Sequence, residues 1–322
     1  LTGTIGDAIV LPADPTYPGF LFAGWYTDSA CTTPFTETTY NNNMMVYAKW
    51  TLDPAQSLPV MSFNVKTNNS NKDLVIDIIL ENNPYVFGVQ EADSIWMSTL
   101  KNKLGSIYSC VGVERGGGIF NSGSEHSAIF YRTDMFTLIE GGTKWLSQTP
   151  DVASKYSDGT NTANYNRIMT YVVLERKSDG AQFIYVNTHL DNNGDNDGTA
   201  AENVRKGQVE ILLQQVQVLY NKYGNLPTVV TGDFNTQPNT VSYKAMLEGG
   251  FVDSSKVAVE ADDKRTLNGN SDSGNVIFDY VFVSSDWADA VETYKVCEEK
   301  RNGTWISDHN AIISTIVFPL TK

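Results

Sequence analysis

The chain of 322 residues contains little histidine, little cysteine and few basic residues. Its three cysteines are far apart and show neither zinc nor redox spacing. Three free, mostly buried thiols are favoured for Cys31, Cys110 and Cys297, although a Cys110–Cys297 pair stays open. Lysine and arginine total 23 against 37 aspartates and glutamates, a formal charge of −14, which disfavours tight, sequence-independent binding to nucleic acid.

Long apolar runs are also missing. No stretch of about 18 apolar residues occurs, so we expect no membrane-spanning helix. The first residues, LTGTIGD, lack the basic and apolar regions of a signal peptide, so either none exists or the sequence starts downstream of it. The hydrophobic fraction of 41% is ample for a large core and for more than one average domain.

The chain changes character near residue 50. Residues 1–50 are rich in threonine, asparagine and aromatics, with short β-like runs AIVL, FLFAGWY and MMVYAKW and no helical period. Residues 51–56 are predicted to be a linker. Residues 57–322 then alternate strand-like and helix-like segments.

The larger part is predicted to be an α/β domain. Its apolar runs predict strands over 58–65, 84–92, 127–132, 167–176, 182–190, 227–233, 275–284 and 311–318. Helical spacing predicts helices over 72–83, with Asn71 as N-cap, and over 202–223. This order of predicted strands and helices favours two sheets packed face to face with helices outside. The loop DNNGDND lacks the full calcium-loop spacing and is interpreted as an exposed loop.

Polar residues lie at or just beyond the ends of these apolar runs. Rigid strands present functional side chains at such ends, although each residue alone is more simply explained as the start of a turn. Their recurrence at several ends favours a site. The residues are Asn64, Glu91, His189, Asp191, Asp233, Asn235, Asp279, Asp308 and His309.

The positions of the histidines support the interpretation that these residues form a site. His189 and His309 are flanked by carboxylates or amides, an arrangement that suits acid–base chemistry and phosphate contact near neutral pH. His126 stays open between a structural role and a supporting role at the site. Carboxylates and amides without a cysteine cluster favour a hard cation, Mg²⁺ or Mn²⁺, and phosphoryl transfer or hydrolysis.

The motifs SFN, VQE, NTHLD, GDFN, DYVFV and SDH, in this order, resemble the endonuclease/exonuclease/phosphatase superfamily of deoxyribonuclease I-like folds over about residues 57–322. The resemblance implies a four-layer α/β/β/α sandwich of two packed mixed sheets. Residues 1–50, through GFLFAGWYTD and VYAKW, resemble a Listeria–Bacteroides-type cell-surface repeat. That implies a small β-rich module and a secreted or bacterial cell-surface protein, with attachment through repeats further upstream.

The resemblance also implies roles for the metal site and the attacking water. Asn64, Glu91 and Asp308 would form the metal site, with Glu91 as the direct carboxylate ligand. Asp233 would orient or deprotonate the attacking water, and Asn235 would hold that water or the phosphate. A strand period of two is expected to place Asp233 and Asn235 on one face, with Gly232 allowing close backbone approach.

The remaining roles concern the phosphate. His189 would hydrogen-bond a non-bridging oxygen, and His309, oriented by Asp279, would act as general base or phosphate ligand. Where some nucleases place an acidic partner for His189, this sequence has Arg167, a candidate bidentate donor to a substrate phosphate. Glu125 and Asp191 are further candidate substrate-binding residues, and Arg205 is expected at the surface.

Three functions follow as hypotheses. The first is a Mg- or Mn-dependent phosphoesterase that hydrolyses a phosphomonoester or phosphodiester of a small molecule or lipid headgroup. The second is a secreted nuclease, disfavoured by the net charge and by the lack of a basic strip with interleaved aromatics. The third, an inactive surface binding protein, is disfavoured because Glu91, His189, Asp233 and His309 are all present.

Overall fold

The computed structural model describes residues 1–17, 19–53, 55–117, 124–192, 199–298 and 300–317. The chain divides into two compact units, one made largely of Leu1–Ser57 and the other of Leu58–Ile316. Within the described residues, no helix combines the length and the apolar character needed to cross a membrane.

The smaller unit is built on an antiparallel pair of strands, β1 (Phe20–Tyr26) and β2 (Tyr47–Leu52). Aromatic rings pack between them, since the Phe22 centroid lies 5.2 Å from that of Trp25 and 5.7 Å from that of Trp50. The strand predicted over AIVL is wrong, because this segment forms only an isolated bridge at Ala8 and its Val10 is exposed.

The larger unit carries two sheets and their helices. Its strands are β3 (Ser57–Asn64), β4 (Val86–Gln90), β5 (Tyr108–Val111), β6 (Ile129–Arg132), β7 (Phe136–Trp145), β8 (Ile168–Arg176), β9 (Gln182–His189), β10 (Thr228–Asp233), β11 (Phe251–Asp253), β12 (Glu260–Ala261), β13 (Asp279–Ser284), β14 (Val291–Cys297), β15 (Lys300–Arg301), β16 (Thr304–Trp305) and β17 (Ala311–Val317). Its helices are α1 (Lys72–Asn82), α2 (Ser94–Leu104), α3 (Thr199–Tyr223), α4 (Val241–Glu248) and α5 (Ser254–Val257), with a 3₁₀ turn over Ser285–Ala290.

Both large sheets are mixed. One has the order β11-β13-β10-β9-β8-β7, and the other has the order β12-β14-β17-β3-β4-β6-β5. In each sheet a central pair is parallel, β9 with β10 and β3 with β4. The carboxyl ends of each parallel pair therefore lie at one edge of their sheet.

Helices cover the outer face of each sheet. The core that contains Val230 of β10 also contains Val209 of α3 and Met246 of α4. The core that contains Phe87 of β4 also contains Val75 of α1 and Trp96 of α2. The predicted four-layer α/β/β/α sandwich is confirmed.

The inner faces meet through polar as well as apolar side chains. Val230 faces the helices, whereas the hydroxyl of its neighbour Thr231 contacts that of Tyr185 at 2.9 Å. The Tyr185 hydroxyl in turn donates to the Met61 carbonyl of the other sheet at 2.8 Å. Strand alternation therefore separates the helix-facing core from the interface between the sheets.

The cysteine pair considered from the sequence is wrong. Cys110 lies on β5 and Cys297 on β14, with four strands between them in the sheet. Five strand spacings amount to about 24 Å, far beyond the roughly 7 Å limit of a disulfide. All three cysteines lie outside disulfides and are half-buried.

Candidate active site

Strand ends from both sheets meet at one cluster of polar side chains. Asn64 ends β3 and Asp233 ends β10, and the Asn64 amide Nδ2 donates to Asp233 Oδ2 at 2.9 Å. The same Nδ2 donates to Glu91 Oε1 at 3.1 Å, just after β4. Asn64 therefore connects two carboxylates that belong to different sheets.

Asp233 lies at the centre of this cluster. It is 1% exposed, and its Oδ1 accepts the Asn235 backbone N–H at 2.9 Å. Its Oδ2 lies 3.5 Å from His189 Nε2 and 3.7 Å from His309 Nε2. Burial raises the pKa of Asp233, and the charge of His309 partly offsets this effect.

The two imidazoles differ in their surroundings. His309 Nδ1 is hydrogen-bonded to Asp279 Oδ2 at 2.8 Å, which leaves Nε2 facing Asp233. Burial alone would lower the pKa of His309, but the charges of Asp279 and Asp233 outweigh it and raise the pKa to about 10. Burial and the nearby charge of Arg167 lower the pKa of His189.

The local backbone is strained where Glu91 enters the site. Glu91 has φ +59°, a left-handed conformation that is costly for a residue with a side chain. Its Oε2 accepts the Thr67 backbone N–H at 3.0 Å. His126 holds the following residue, because its backbone N–H and its ring Nδ1 both contact the Ala92 carbonyl, at 2.8 and 2.9 Å.

Asp308 lies beside a basic side chain. Lys66 Nζ is 3.1 Å from Asp308 Oδ2, and both side chains are partly exposed. The Asp308 carbonyl accepts backbone N–H groups from Asn268 and Gly269, each at 2.9 Å. The structure does not place this carboxylate within the groups formed around Asp233.

The backbone conformation at Asn235 differs from the one that we expected. The prediction that a strand period of two places Asp233 and Asn235 on one face is wrong, because β10 ends at Asp233 and Asn235 has φ +49°. A left-handed turn directs its Nδ2 to the Leu190 carbonyl at 3.1 Å. The expectation for Gly232 is confirmed, since a Cβ there would lie 2.2 Å from the Thr188 carbonyl oxygen.

Arg167 and Asp191 lie together beside His189. Both are buried, and Arg167 Nε is 3.9 Å from Asp191 Oδ2. Tyr165 donates its backbone N–H to the same Asp191 oxygen at 3.1 Å. The expectation that Arg205 lies at the surface is wrong, because it is 7% exposed and its Nη1 donates to the Asp191 carbonyl at 3.0 Å.

Glu125 is held by an arginine that sequence reasoning missed. Arg115 Nη1 and Nη2 donate to the two Glu125 carboxylate oxygens at 2.8 and 3.2 Å. Burial raises the pKa of Glu125, and the charge of Arg115 opposes that shift. Arg115 precedes a glycine-rich stretch of sequence with no local pattern, and its importance arises from contacts with residues ten or more positions away.

Asn187 is a second residue that was missed. It is fully buried between the sheets, where its Nδ2 donates to the Val89 and Ala128 carbonyls at 2.9 and 3.1 Å. Gly88 makes room for it, since a Cβ there would lie 2.3 Å from Asn187 Oδ1. Its place two residues before His189 in a strand was the available signal, because that spacing puts both on one face.

The donor set fits a hard divalent cation. Carboxylate oxygens and ring nitrogens come within 4.8 Å of one another in two groups that share Asp233: one with Glu91 and His189, the other with Asp279 and His309. The cluster could therefore bind a metal ion, with Glu91 as the most accessible carboxylate of the two groups.

Comparison with known families matches both parts of the chain. The model of the endonuclease/exonuclease/phosphatase family matches residues 61–309, more than half of the chain. The model of the Listeria-Bacteroides repeat domain matches residues 2–49.

Solved structures and a curated protein are also similar to this chain. An endonuclease/exonuclease/phosphatase family protein from Bacteroides thetaiotaomicron is 28% identical, with a TM-score of 0.72 over 82% of this chain and 96% of that one. A mannosyl-6-phosphatase of the same organism is 28% identical, with a TM-score of 0.69 over 81% and 100%. Carbon catabolite repressor protein 4 homolog 3 of Arabidopsis thaliana is 26% identical over 202 residues, which span 62% of this chain and 38% of that protein.

Proposed function

The chain belongs to the endonuclease/exonuclease/phosphatase family, and from this premise we propose that it is a Mg- or Mn-dependent phosphoesterase acting on a small phosphorylated molecule. The observation that carries the proposal is the buried Asp233 carboxylate, 3.5 and 3.7 Å from two imidazole nitrogens and hydrogen-bonded to Asn64. This arrangement places a proton acceptor between two groups that can contact a phosphate.

In this mechanism Asp233 accepts a proton from the attacking water. The Asn64 and Asn235 N–H groups fix the carboxylate orientation. The water oxygen bonds to phosphorus in line with the ester P–O bond, which breaks with its electron pair on the leaving oxygen. That oxygen takes up a proton, so that water and the ester give an alcohol and a phosphate.

His189 and His309 contact non-bridging oxygens of the phosphoryl group. Asp279 holds His309 Nδ1 and so directs Nε2 into the site. Glu91, with Asn64 and Asp308, would hold the cation. When bound, the cation supplies Lewis-acid stabilisation of the charge on phosphoryl oxygens.

Two observations favour a small substrate over nucleic acid. The net charge of −14 opposes approach of a polyanion. A structural relative with 28% identity is described as a mannosyl-6-phosphatase.

Purified protein should hydrolyse p-nitrophenyl phosphate or its bis-ester with Mg²⁺ or Mn²⁺, and EDTA should abolish the reaction. A rate unchanged by EDTA would refute the metal requirement. A parallel panel of sugar phosphates, phosphoinositides, plasmid DNA and RNA decides the substrate class. If DNA or RNA is cut fastest, the small-molecule proposal fails and a nuclease takes its place.

We also propose that the protein acts outside the cell or at a bacterial surface, because residues 2–49 match a Listeria-Bacteroides repeat. Protease treatment of intact cells of the native host should degrade the protein while a cytoplasmic marker survives. Full protection of the chain, with loss only after lysis, contradicts this location.

A further inference from the structure

Lys66 places a positive charge on one of the residues proposed to hold the metal ion. Its Nζ lies 3.1 Å from Asp308 Oδ2, and the two side chains are 37% and 27% exposed. The other oxygen of this carboxylate, Oδ1, lies 3.4 Å from the Ser307 hydroxyl. The ammonium and the hydroxyl therefore approach different oxygens of the same carboxylate.

The backbone of Lys66 is fixed on both sides. Its N–H donates to Asn64 Oδ1 at 3.0 Å, and its carbonyl accepts the Trp96 indole N–H at 2.9 Å. These contacts stabilise a left-handed conformation, φ +59°, which is costly for a residue with a side chain. The Lys66 side chain therefore starts from a defined position beside the site, and its flexible stem decides where the ammonium lies.

The same short segment contacts both carboxylates proposed as metal ligands. The Thr67 backbone N–H donates to Glu91 Oε2 at 3.0 Å, while the Lys66 ammonium contacts Asp308. The backbone of Asp308 is also fixed, because its carbonyl accepts two backbone N–H groups at 2.9 Å. Residues 66 and 67 thus link Glu91 to Asp308, one through a backbone N–H and the other through a positive charge.

We propose that the Lys66 ammonium competes with the divalent ion for Asp308 and thereby weakens metal binding. The inference rests on the proposed function and deepens it, because it names a residue that sets the metal affinity of the site. Two cations on one carboxylate repel each other, so the ion gains full contact with Asp308 only as Lys66 withdraws. The ion pair is partly exposed, so the competition is modest in size.

Metal binding is measured without substrate, so that the result does not depend on turnover. Mn²⁺ is titrated into the wild type and into Lys66→Met, and the free ion is followed by electron paramagnetic resonance. Methionine keeps an unbranched stem without the charge, so Mn²⁺ should bind about 3- to 10-fold more tightly to the variant. Lys66→Arg keeps the charge and should show no such gain. A merely structural role of Lys66 predicts weaker binding instead.

The matched control is Lys72→Met, which removes the same charge from a second lysine near Trp96. The Lys72 ammonium lies over the Trp96 ring, 4.8 Å from its centroid, and donates to the Asn69 carbonyl. This substitution should leave the Mn²⁺ affinity within about twofold of the wild type, because solvent screens distant charges. If Lys66→Met fails to fold, Lys66→Gln is measured in its place.

A double-substitution cycle shows whether the effect acts through Asp308. Asp308→Asn should weaken Mn²⁺ binding, and adding Lys66→Met to it should give no further gain, because the contested carboxylate is gone. The inference is overturned by no gain in Lys66→Met, by an equal gain in the Asp308→Asn background, or by an equal gain in Lys72→Met.

Turnover then separates this inference from the proposed function. Tighter Mn²⁺ binding by Lys66→Met, without hydrolysis of p-nitrophenyl phosphate or its bis-ester by either protein, refutes the phosphoesterase and leaves the competition intact. Metal-dependent hydrolysis with equal Mn²⁺ affinity in both proteins refutes the competition and leaves the phosphoesterase intact. Failure of the wild type to bind Mn²⁺ overturns both the inference and the metal requirement.

Discussion

The two ends of strand β8 carry arginines with opposite surroundings. Arg176, at one end, is 4% exposed, and its Nε donates to both Asp179 oxygens at 3.0 and 2.9 Å. Arg167, just before the other end, is 2% exposed, and its Nε has no such partner among the described residues. Equal burial therefore does not mean equal hydrogen bonding of the two guanidinium groups.

The edge of the sandwich around Asp233 differs from the far end in the same way as Arg167 differs from Arg176. The edge around Asp233 gathers left-handed residues at Glu91 and Asn235 and the buried Asp233 carboxylate, whose pKa is raised by burial. Natural proteins concentrate such strain and buried charge at functional sites, where they lower stability. Substitutions at this edge should therefore remove activity with little loss of stability, and substitutions at the far end should do the reverse.

Asp233→Asn is the substitution from which we expect the largest loss of activity. The amide cannot accept the proton of the attacking water, so we expect kcat to fall by about 10²- to 10⁴-fold. Relief of a buried charge should leave the melting temperature equal to or above that of the wild type. Steady-state kinetics and calorimetry check this, and an active variant would show that Asp233 is not the proton acceptor.

Asn187→Ala should affect both properties, because this residue lies beneath the site and between the sheets. Its loss removes one hydrogen bond each from Gln90, the Val89 carbonyl and the Ala128 carbonyl. We expect about 2 to 4 kcal/mol less stability by denaturant unfolding, together with a lower kcat. Unchanged stability would show that the inter-sheet hydrogen bonds are dispensable.

Asp179→Ala removes the partner of Arg176 at the far end of β8. Removal of the carboxylate leaves Arg176 buried without this partner, which should cost about 2 to 3 kcal/mol of unfolding free energy. Activity should not change. A loss of kcat/KM in the folded variant would contradict the division between the two ends.

The pH dependence of this pair has a definite sign. Burial raises the pKa of Asp179, but the hydrogen bonds from Arg176 and the Ala181 N–H outweigh it and lower the pKa. Stabilisation by the pair is therefore present at neutral pH and is lost as the pH falls through the folded-state pKa of the carboxyl. The stability gap between wild type and Asp179→Ala should narrow in acid.

The sequence predicted the scaffold of the active edge well, for a physical reason. Strands buried on both faces appear as near-continuous apolar runs, so their ends, and with them Asn64, His189 and Asp233, are easy to locate. Strand β7 was missed because its residues alternate irregularly around Gly141 and Gly142, and helix α4 because it has only 8 residues. Short segments carry too little periodicity to distinguish helix from loop.

Contacts that depend on the fold were not predictable. The pairing of Arg115 with Glu125 joins residues ten positions apart, and that of Lys66 with Asp308 joins residues more than two hundred positions apart. The placement of Asn235 depends on a left-handed turn that alternation does not describe. Local patterns specify strands and their ends, whereas side-chain partners emerge from the way distant strands pack.

The smallest effect is expected where a charged network is partly exposed to solvent. Glu140 accepts hydrogen bonds from the hydroxyls of Tyr171 and Tyr223 and pairs with Lys222, whose side chain is 59% exposed. Glu140→Gln keeps the shape and removes the charge, so we expect a loss of less than about 1 kcal/mol, reduced further at high salt, with no change in activity. If Glu140→Gln lowers the unfolding free energy as much as Asp179→Ala does, then the difference between Arg176 and Arg167 comes from the number of their polar partners and not from burial. Denaturant unfolding of the two variants side by side, at low and high salt, decides between these explanations.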